Sequence, residues 1–350
     1  MKRIVGLCIL CACSGPVAVG SDAGIVDGGD AAPGTSNVAI APVPDTGDFV
    51  RDGDDWKVTT GDAIYDIAKH FYQTHADDYD FLIIWSDFFV KNATGFTVTL
   101  KVDIEGIGLD VVDATFGGGK GRDSTSRAGS KGRLQAICFL NGKKYYGPNT
   151  MPALDVLVHE VGHRWGAYYA PAIEPDRFFL LDTSRTHWSI VSGLGGPSAM
   201  GYHRTVDNGD GTFTASSVST LAYAPWELYS MGLLDPQGLP DFFYVRNPQS
   251  FVPATDPAGN PWSARSITVG SVTFQGQKVS LTPQEMIAKL GPRVPSVAQA
   301  PKSFRQAFIA VCPDSKCTQE TLDWVEGLRA AWPARFSTAT GGRGSVSTEL

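Results

Sequence analysis

The sequence predicts an α+β domain, in which a mixed β-sheet is followed by one central helix and a loop-rich C-terminal part. Three observations predict this class. The chain has 350 residues, 43% of them hydrophobic, which is enough for a large core. Apolar runs of strand length alternate with segments of helical period. The 39 glycines and 22 prolines indicate many turns and loops, which argues against a helical bundle.

The N-terminus has the pattern of an export signal. Lys2 and Arg3 precede the apolar run 4–12, which is much shorter than the about 20 residues that a bilayer span needs. We therefore expect residues 1–13 to be a signal peptide. Its end resembles a bacterial lipobox, in which Cys13 would become the lipidated first residue, and simple cleavage and secretion is the alternative. The expected location is the bacterial cell envelope or the exterior, with membrane contact only through this anchor.

The next segment differs sharply in composition from the rest of the chain. Residues 14–50 are dominated by Gly, Ala, Asp, Ser, Pro and Val and show neither helical nor strand period. Such a composition cannot bury a core, so it predicts a flexible tether. Residues 51–346 contain no internal repeat and are expected to form a single folded domain.

Three cysteines fall within that domain. Cys312 and Cys317 bracket a tight loop that an oxidising compartment would close as a disulfide. Cys138 lies in an apolar, strand-like run and is expected to be an inert buried thiol.

The elements of the domain follow from hydrophobic period and turn residues. Residues 61–73 have apolar side chains at helical spacing, whereas 81–85 form a continuous apolar run and 96–104 alternate. The glycines and asparagine of 207–211 predict a hairpin turn. A calcium loop is the alternative, although glycine stands where its third ligand should lie. The remaining expected elements are strands at 134–140, 241–245 and 267–274 and helices at 151–168, 223–234 and 319–335.

The helix expected at 151–168 contains the most informative run of the chain, His159-Glu160-Val161-Gly162-His163. Residues four apart share one face of a helix, so both imidazoles would point the same way and could bind one Zn²⁺. Glu160 would then reach the metal-bound water as general base. We expect zinc-dependent hydrolysis of peptide bonds, for which a protein or peptide is the substrate.

A catalytic zinc site needs a third protein ligand, and the sequence offers several. His187 precedes the run Ser198-Ala199-Met200-Gly201-Tyr202, which resembles the Met-turn of metzincin proteases. In that family the third histidine follows six residues after the second, but Tyr169 stands there. The order of the remaining parts favours His187.

Other third ligands stay open at this level. Glu227 could supply a carboxylate from a second helix, or could instead orient a ligand. His203, Tyr169 and a water are further alternatives. Tyr202, or less favourably Tyr169, could donate a hydrogen bond to the oxyanion of the reaction. Residues 134–140 could bind an extended peptide as an edge strand, or could be an ordinary core strand.

Several segments together resemble a group of exported zincin-type metalloproteases from bacteria of the myxobacterial kind. This resemblance implies one integrated zincin-like catalytic domain, with Glu227 at a position where aspartate is expected as often. The matching runs are 75–81, 132–135, 159–165, 187–189, 207–214, 229–233 and 339–344.

The net charge of the chain limits which partners are expected. A net charge of −7 argues against nucleic acid or an anionic membrane surface as the main partner, and we expect a monomer. The alternative to an enzyme is a catalytically silent or structural zinc-binding surface lipoprotein that acts as a binding or adhesion module. Retention of Glu160 favours the enzyme, because a purely structural site needs only ligands.

Overall fold

The computed structural model describes residues 37–108, 121–166, 173, 178–267 and 270–350. The predicted signal peptide with Cys13, the first part of the tether and Tyr169 lie outside these residues. In the part described, no helix is long and apolar enough to cross a membrane.

The described chain contains both strands and helices. The strands are β1 Val38–Pro42, β2 Phe49–Asp52, β3 Asp55–Val58, β4 Phe81–Ser86, β5 Gly95–Thr99, β6 Ala136–Leu140, β7 Ser192–Gly193, β8 His203–Asp207, β9 Thr212–Ser217, β10 Phe242–Val252, β11 Ser271–Leu281, β12 Ser303–Cys312 and β13 Ser345–Ser347. The helices are α1 Ala63–Phe71, α2 Lys143–Tyr146, α3 Thr150–Gly162, α4 Pro225–Met231, α5 Pro283–Leu290 and α6 Gln319–Ala339.

The larger sheet has the order β1-β12-β4-β6-β5, and β13 also pairs with β12. Strands β1, β12, β4 and β6 are parallel, whereas β5 is antiparallel to β6 and forms one edge. Every residue of β4 and β6 is buried, as expected for parallel strands covered on both faces. The predicted α+β class with a mixed sheet is therefore confirmed.

Helices cover both faces of this sheet, because successive side chains of a strand point to opposite sides. Leu82 and Ile84 pack with α1 in one apolar cluster. Ile83 and Trp85 belong to the other cluster, together with α3 and α6. Helix α3 therefore packs directly on one face of the larger sheet, beside β5 and β6.

The C-terminal half adds a second sheet of order β7-β10-β11-β9-β8, in which every pair is antiparallel. Strands β8 and β9 form the hairpin that was predicted around 207–211. Cys312 and Cys317 form the predicted disulfide, and Cys138 is a buried free thiol.

Several sequence-based boundaries are wrong. The tether prediction of 14–50 includes β1, which pairs with β12, so folded structure begins by Val38. The alternating strand 96–104 ends at Thr99. Helix α3 ends at Gly162 rather than 168, so the histidine motif occupies its last turn and not its middle.

The sequence left two roles open for residues 134–140. Strand β6 lies between β4 and β5, so the structure selects the core strand and excludes the edge strand.

A largely buried ion pair joins α3 and α6, which lie on the same face of the larger sheet. Arg335 of α6 donates from Nε to Oδ1 of Asp155 on α3 at 3.0 Å and also binds the carbonyl of Leu221. We expect Arg335→Ala to lower the free energy of unfolding by about 3 kcal/mol, because it strands a largely buried carboxylate. Lys144→Ala, which breaks an exposed pair with Asp55, should cost less than about 1 kcal/mol. Urea unfolding compares the two variants, and equal losses would contradict this account.

Candidate metal centre

The last turn of α3 carries the candidate site, and both ends of the helix explain its position. The Asn149 side chain caps the N-terminus by accepting a hydrogen bond from the Met151 amide. Gly162 is the last helical residue, and a Cβ there would lie 2.4 Å from Sδ of Met200. The glycine therefore leaves the space that the Met200 side chain fills against this turn of the helix.

Three histidines converge on one point. One ring nitrogen from each of His159, His163 and His187 lies within 4.8 Å of the others. The Nε2 atoms of His159 and His187 are 3.1 Å apart. Two ligand nitrogens on a tetrahedral zinc ion stand about 3.3 Å apart, given bonds of about 2.0–2.1 Å. The three side chains are therefore close enough to bind a metal ion.

In two of the three histidines, a hydrogen bond at Nδ1 determines which ring nitrogen carries the hydrogen. His159 donates from Nδ1 to the carbonyl of Ala199 at 2.7 Å, and His187 donates from Nδ1 to Oδ2 of Asp182 at 3.1 Å. With the rings of His159 and His187 neutral, as metal ligands must be, each Nε2 carries a lone pair. Burial lowers the pKa of His159 and of His163 well below its usual value, which keeps both rings neutral as ligands must be.

Asp182 is a functional residue that the sequence reasoning missed. Burial alone would raise its pKa, but hydrogen bonds from His187 and Ser184 outweigh burial and lower the pKa to about 2. Its Oδ1 also accepts the amides of Thr186 and His187, which closes the loop. A carboxylate behind a ligating histidine is the usual support of a metal site. The signal was an aspartate five residues before the histidine in a polar turn, but such turns are common.

The loop that carries Asp182 and His187 is held from outside by Arg265. Its Nε and Nη2 donate to the carbonyls of Leu181 and Asp182, at 3.2 and 2.6 Å. The third imidazole therefore reaches the site from a loop that is braced at its base by a distant part of the chain.

Glu227 does not join the three histidines. Its carboxylate accepts hydrogen bonds from Ser198 Oγ and from the amides of Ala199, Met200 and Ala224. This arrangement contradicts the alternative in which Glu227 is the third ligand. The carboxylate instead holds the turn whose Ala199 carbonyl binds His159, and burial raises its pKa to about 7.

Two further candidates lie on or beside that turn. The Tyr202 ring stacks on His159 with centroids 4.3 Å apart, and its φ of 56° is one that residues other than glycine rarely adopt. His203 donates from Nδ1 to the Gly201 carbonyl and is no part of the histidine cluster. The structure therefore brings Tyr202, but not His203, to the site.

The Glu160 side chain lies in a pocket between α3 and β5. Thr97 of β5 places its hydroxyl 2.9 Å from Oε2, and a Cβ on Gly95 would lie 3.0 Å from Oε1. Burial raises the pKa of Glu160 to about 7, which suits a group that must both take and release a proton near neutral pH. Neither Thr97 nor Gly95 was singled out from the sequence, because their approach to Glu160 depends on how the sheet pairs.

No protein-family model matches the chain, and no curated protein or solved structure matches it either. The interpretation of this site therefore depends on its own geometry and donor atoms.

The first prediction here assigns the third ligand. We expect His187→Ala to lose bound zinc during dialysis, because two imidazoles remain, whereas Glu227→Gln keeps one zinc per chain. Elemental analysis of the purified variants measures both. Loss of zinc from Glu227→Gln with retention in His187→Ala would reverse the assignment.

The second prediction concerns Asp182. Asp182→Asn should weaken zinc binding by about 10–100-fold, because the amide orients His187 less well and removes a negative charge near the ion. Asp256→Asn is the matched control, since Asp256 also accepts backbone amides in a turn but lies exposed. Competition with a chromophoric chelator gives the affinities, and equal values for both variants would refute the role of Asp182.

Proposed function

We propose that this protein is a zinc metalloendopeptidase with a zincin-like, metzincin-related catalytic domain. One observation supports this most strongly: three imidazoles converge beside a buried glutamate that is no part of the cluster itself. A set of three histidines leaves one position of a tetrahedral zinc ion for water or substrate. Nitrogen ligands alone suit other transition metals as well, so zinc belongs to the proposal.

The residues divide the proposed reaction among them. His159, His163 and His187 would hold the ion, which supplies a water of lowered pKa and polarises the scissile carbonyl. Glu160 would take a proton from the attacking water and pass it to the leaving amine. Tyr202, whose ring stacks on His159, would donate a hydrogen bond to the developing oxyanion.

The edge of the larger sheet offers a place for an extended substrate. Strand β5 pairs with β6 alone among the described residues, and it contacts the motif helix through Thr97. A peptide could add to β5 through main-chain hydrogen bonds. This proposal gives β5 one of the two roles that the sequence left open for 134–140. Strand β6, which precedes the helix in sequence, is then the inner neighbour of β5.

The competing proposal is a structural zinc site in a surface lipoprotein that binds or adheres. Glu160 distinguishes the two proposals. Among the described residues its buried carboxylate has one hydrogen-bond donor, Thr97, and burying a carboxylate in this way destabilises a fold. A site that only crosslinks the chain gains nothing from it. Export through the N-terminal signal, lipidation of Cys13 and a monomeric state remain parts of the proposal that separate experiments must test.

The decisive prediction compares wild type with Glu160→Gln. We expect zinc at one per chain in both and a loss of casein or peptide hydrolysis of about 10²–10⁴-fold in the variant, because the amide cannot accept the proton. Zinc content by elemental analysis and turnover of a quenched fluorescent peptide measure the two effects. Equal turnover with zinc bound in both would eliminate the peptidase and leave the structural site.

A further inference from the structure

The inner face of β5 is built around the carboxylate of Glu160. Alternate residues of the strand point toward α3: Gly95, Thr97 and Thr99, whereas Phe96 and Val98 pack in the cluster on the other face of the sheet. Gly95 leaves room for the carboxylate, since a Cβ there would also lie 3.1 Å from the carbonyl oxygen of Phe139. Gly95 and the hydroxyl of Thr97 therefore surround the carboxylate on the β5 side.

The hydroxyl of Thr97 has one hydrogen and two oxygen acceptors, and the Cys138 thiol on β6 is a further neighbour. Its Oγ1 lies 2.9 Å from Oε2 of Glu160 and 2.8 Å from the backbone carbonyl of the same residue. That carbonyl already accepts the amide of His163 at 3.2 Å. A hydrogen bond to an ionised group is about twice as strong as one between neutral groups. When Glu160 is ionised, Thr97 therefore donates its hydrogen to the carboxylate rather than to the carbonyl.

This bond makes the two carboxylate oxygens unequal. In the described part of the chain Thr97 is the sole donor to the carboxylate, and it binds Oε2 only. We propose that Thr97 is a positioning residue, which holds Oε2 so that Oε1 is the oxygen that takes the proton from water. In that step one O–H bond of water breaks, an Oε1–H bond forms, and the threonine keeps its own proton throughout.

The inference rests on the proposed hydrolytic function and deepens it. Because Thr97 lies on the strand proposed to bind substrate, the same strand would align the peptide and the base. Torsional freedom of a buried glutamate would otherwise leave the proton-accepting oxygen without a fixed direction, and rate depends steeply on such alignment.

The test removes the hydroxyl without changing the shape of the strand. Thr97→Val should lower kcat for a quenched fluorescent peptide by about 10–100-fold, as expected for losing a hydrogen bond to a charged group. KM and zinc content should stay as in the wild type. Thr97→Ser, which keeps the hydroxyl, should restore kcat to within about threefold. Thr97→Ala is the second hydroxyl-free variant and should match Thr97→Val.

The matched control is Thr214→Val on β9 of the second sheet, whose hydroxyl lies 3.0 Å from that of Thr273. It should change kcat by less than about threefold. The effect of Thr97→Val should also vanish in a Glu160→Gln background, where no proton is taken. Persistence of the full effect in that background, or a fall in zinc content that accounts for the lost rate, would assign Thr97 a structural role and overturn the inference.

The failures of the two proposals are distinguishable. If Glu160→Gln abolishes turnover while Thr97→Val and Thr97→Ala both keep the wild-type kcat, the positioning role is wrong and the peptidase stands. If the wild type shows no turnover that depends on Glu160, the hydrolytic function is wrong and the inference falls with it.

Discussion

The constraint on which the site depends is the burial of polar groups in the core. His159, His187 and Glu160 are each about 1% exposed or less. A buried imidazole must satisfy both nitrogens, since an unpaired polar atom costs about 1–3 kcal/mol. Each Nδ1 has a fixed acceptor, the Ala199 carbonyl or the Asp182 carboxylate. The two Nε2 atoms lie 3.1 Å apart, and a cation bound between two neutral rings would accept a lone pair from each.

Close packing around α3 makes that arrangement possible. The helix lies between β5 and the turn at 198–202, and a glycine stands at each contact: Gly95 toward Glu160 and Gly162 toward Met200. A larger residue at either place would push the strand or the turn away from the last turn of the helix. The polar groups meet at hydrogen-bonding distance because these two small residues let the backbone elements approach.

The buried carboxylates near the site are tuned in opposite directions by their surroundings. Several hydrogen bonds lower the pKa of Asp182 to about 2, so it stays charged behind His187 and favours a cation. Burial raises the pKa of Glu160 to about 7 with one hydroxyl as donor, and a group of that kind can exchange a proton. Glu227 has the same raised pKa but four donors, and it supports the turn under His159. The two glutamates differ in their surroundings and not in residue type: Glu227 supports a turn, whereas Glu160 is the proposed base.

Local pattern was enough to predict the α+β class, the buried run of β4, the hairpin between β8 and β9, the disulfide loop and the two motif histidines at one helical turn, because each depends on residues close in sequence. His187 was favoured by its order before the 198–202 turn. Tertiary structure alone decided that Glu227 holds this turn, that Asp182 supports His187, and that β5 rather than β6 forms the edge beside Glu160. Glu227 lies 28 positions from Ala199, and the place of β5 depends on the order of strands. Asp182 is only five residues from His187, but it stands in a polar turn of a common kind, so its sequence context did not single it out. Hydrophobic period determines which face of an element is buried, but only packing of the whole chain determines which element it is buried against.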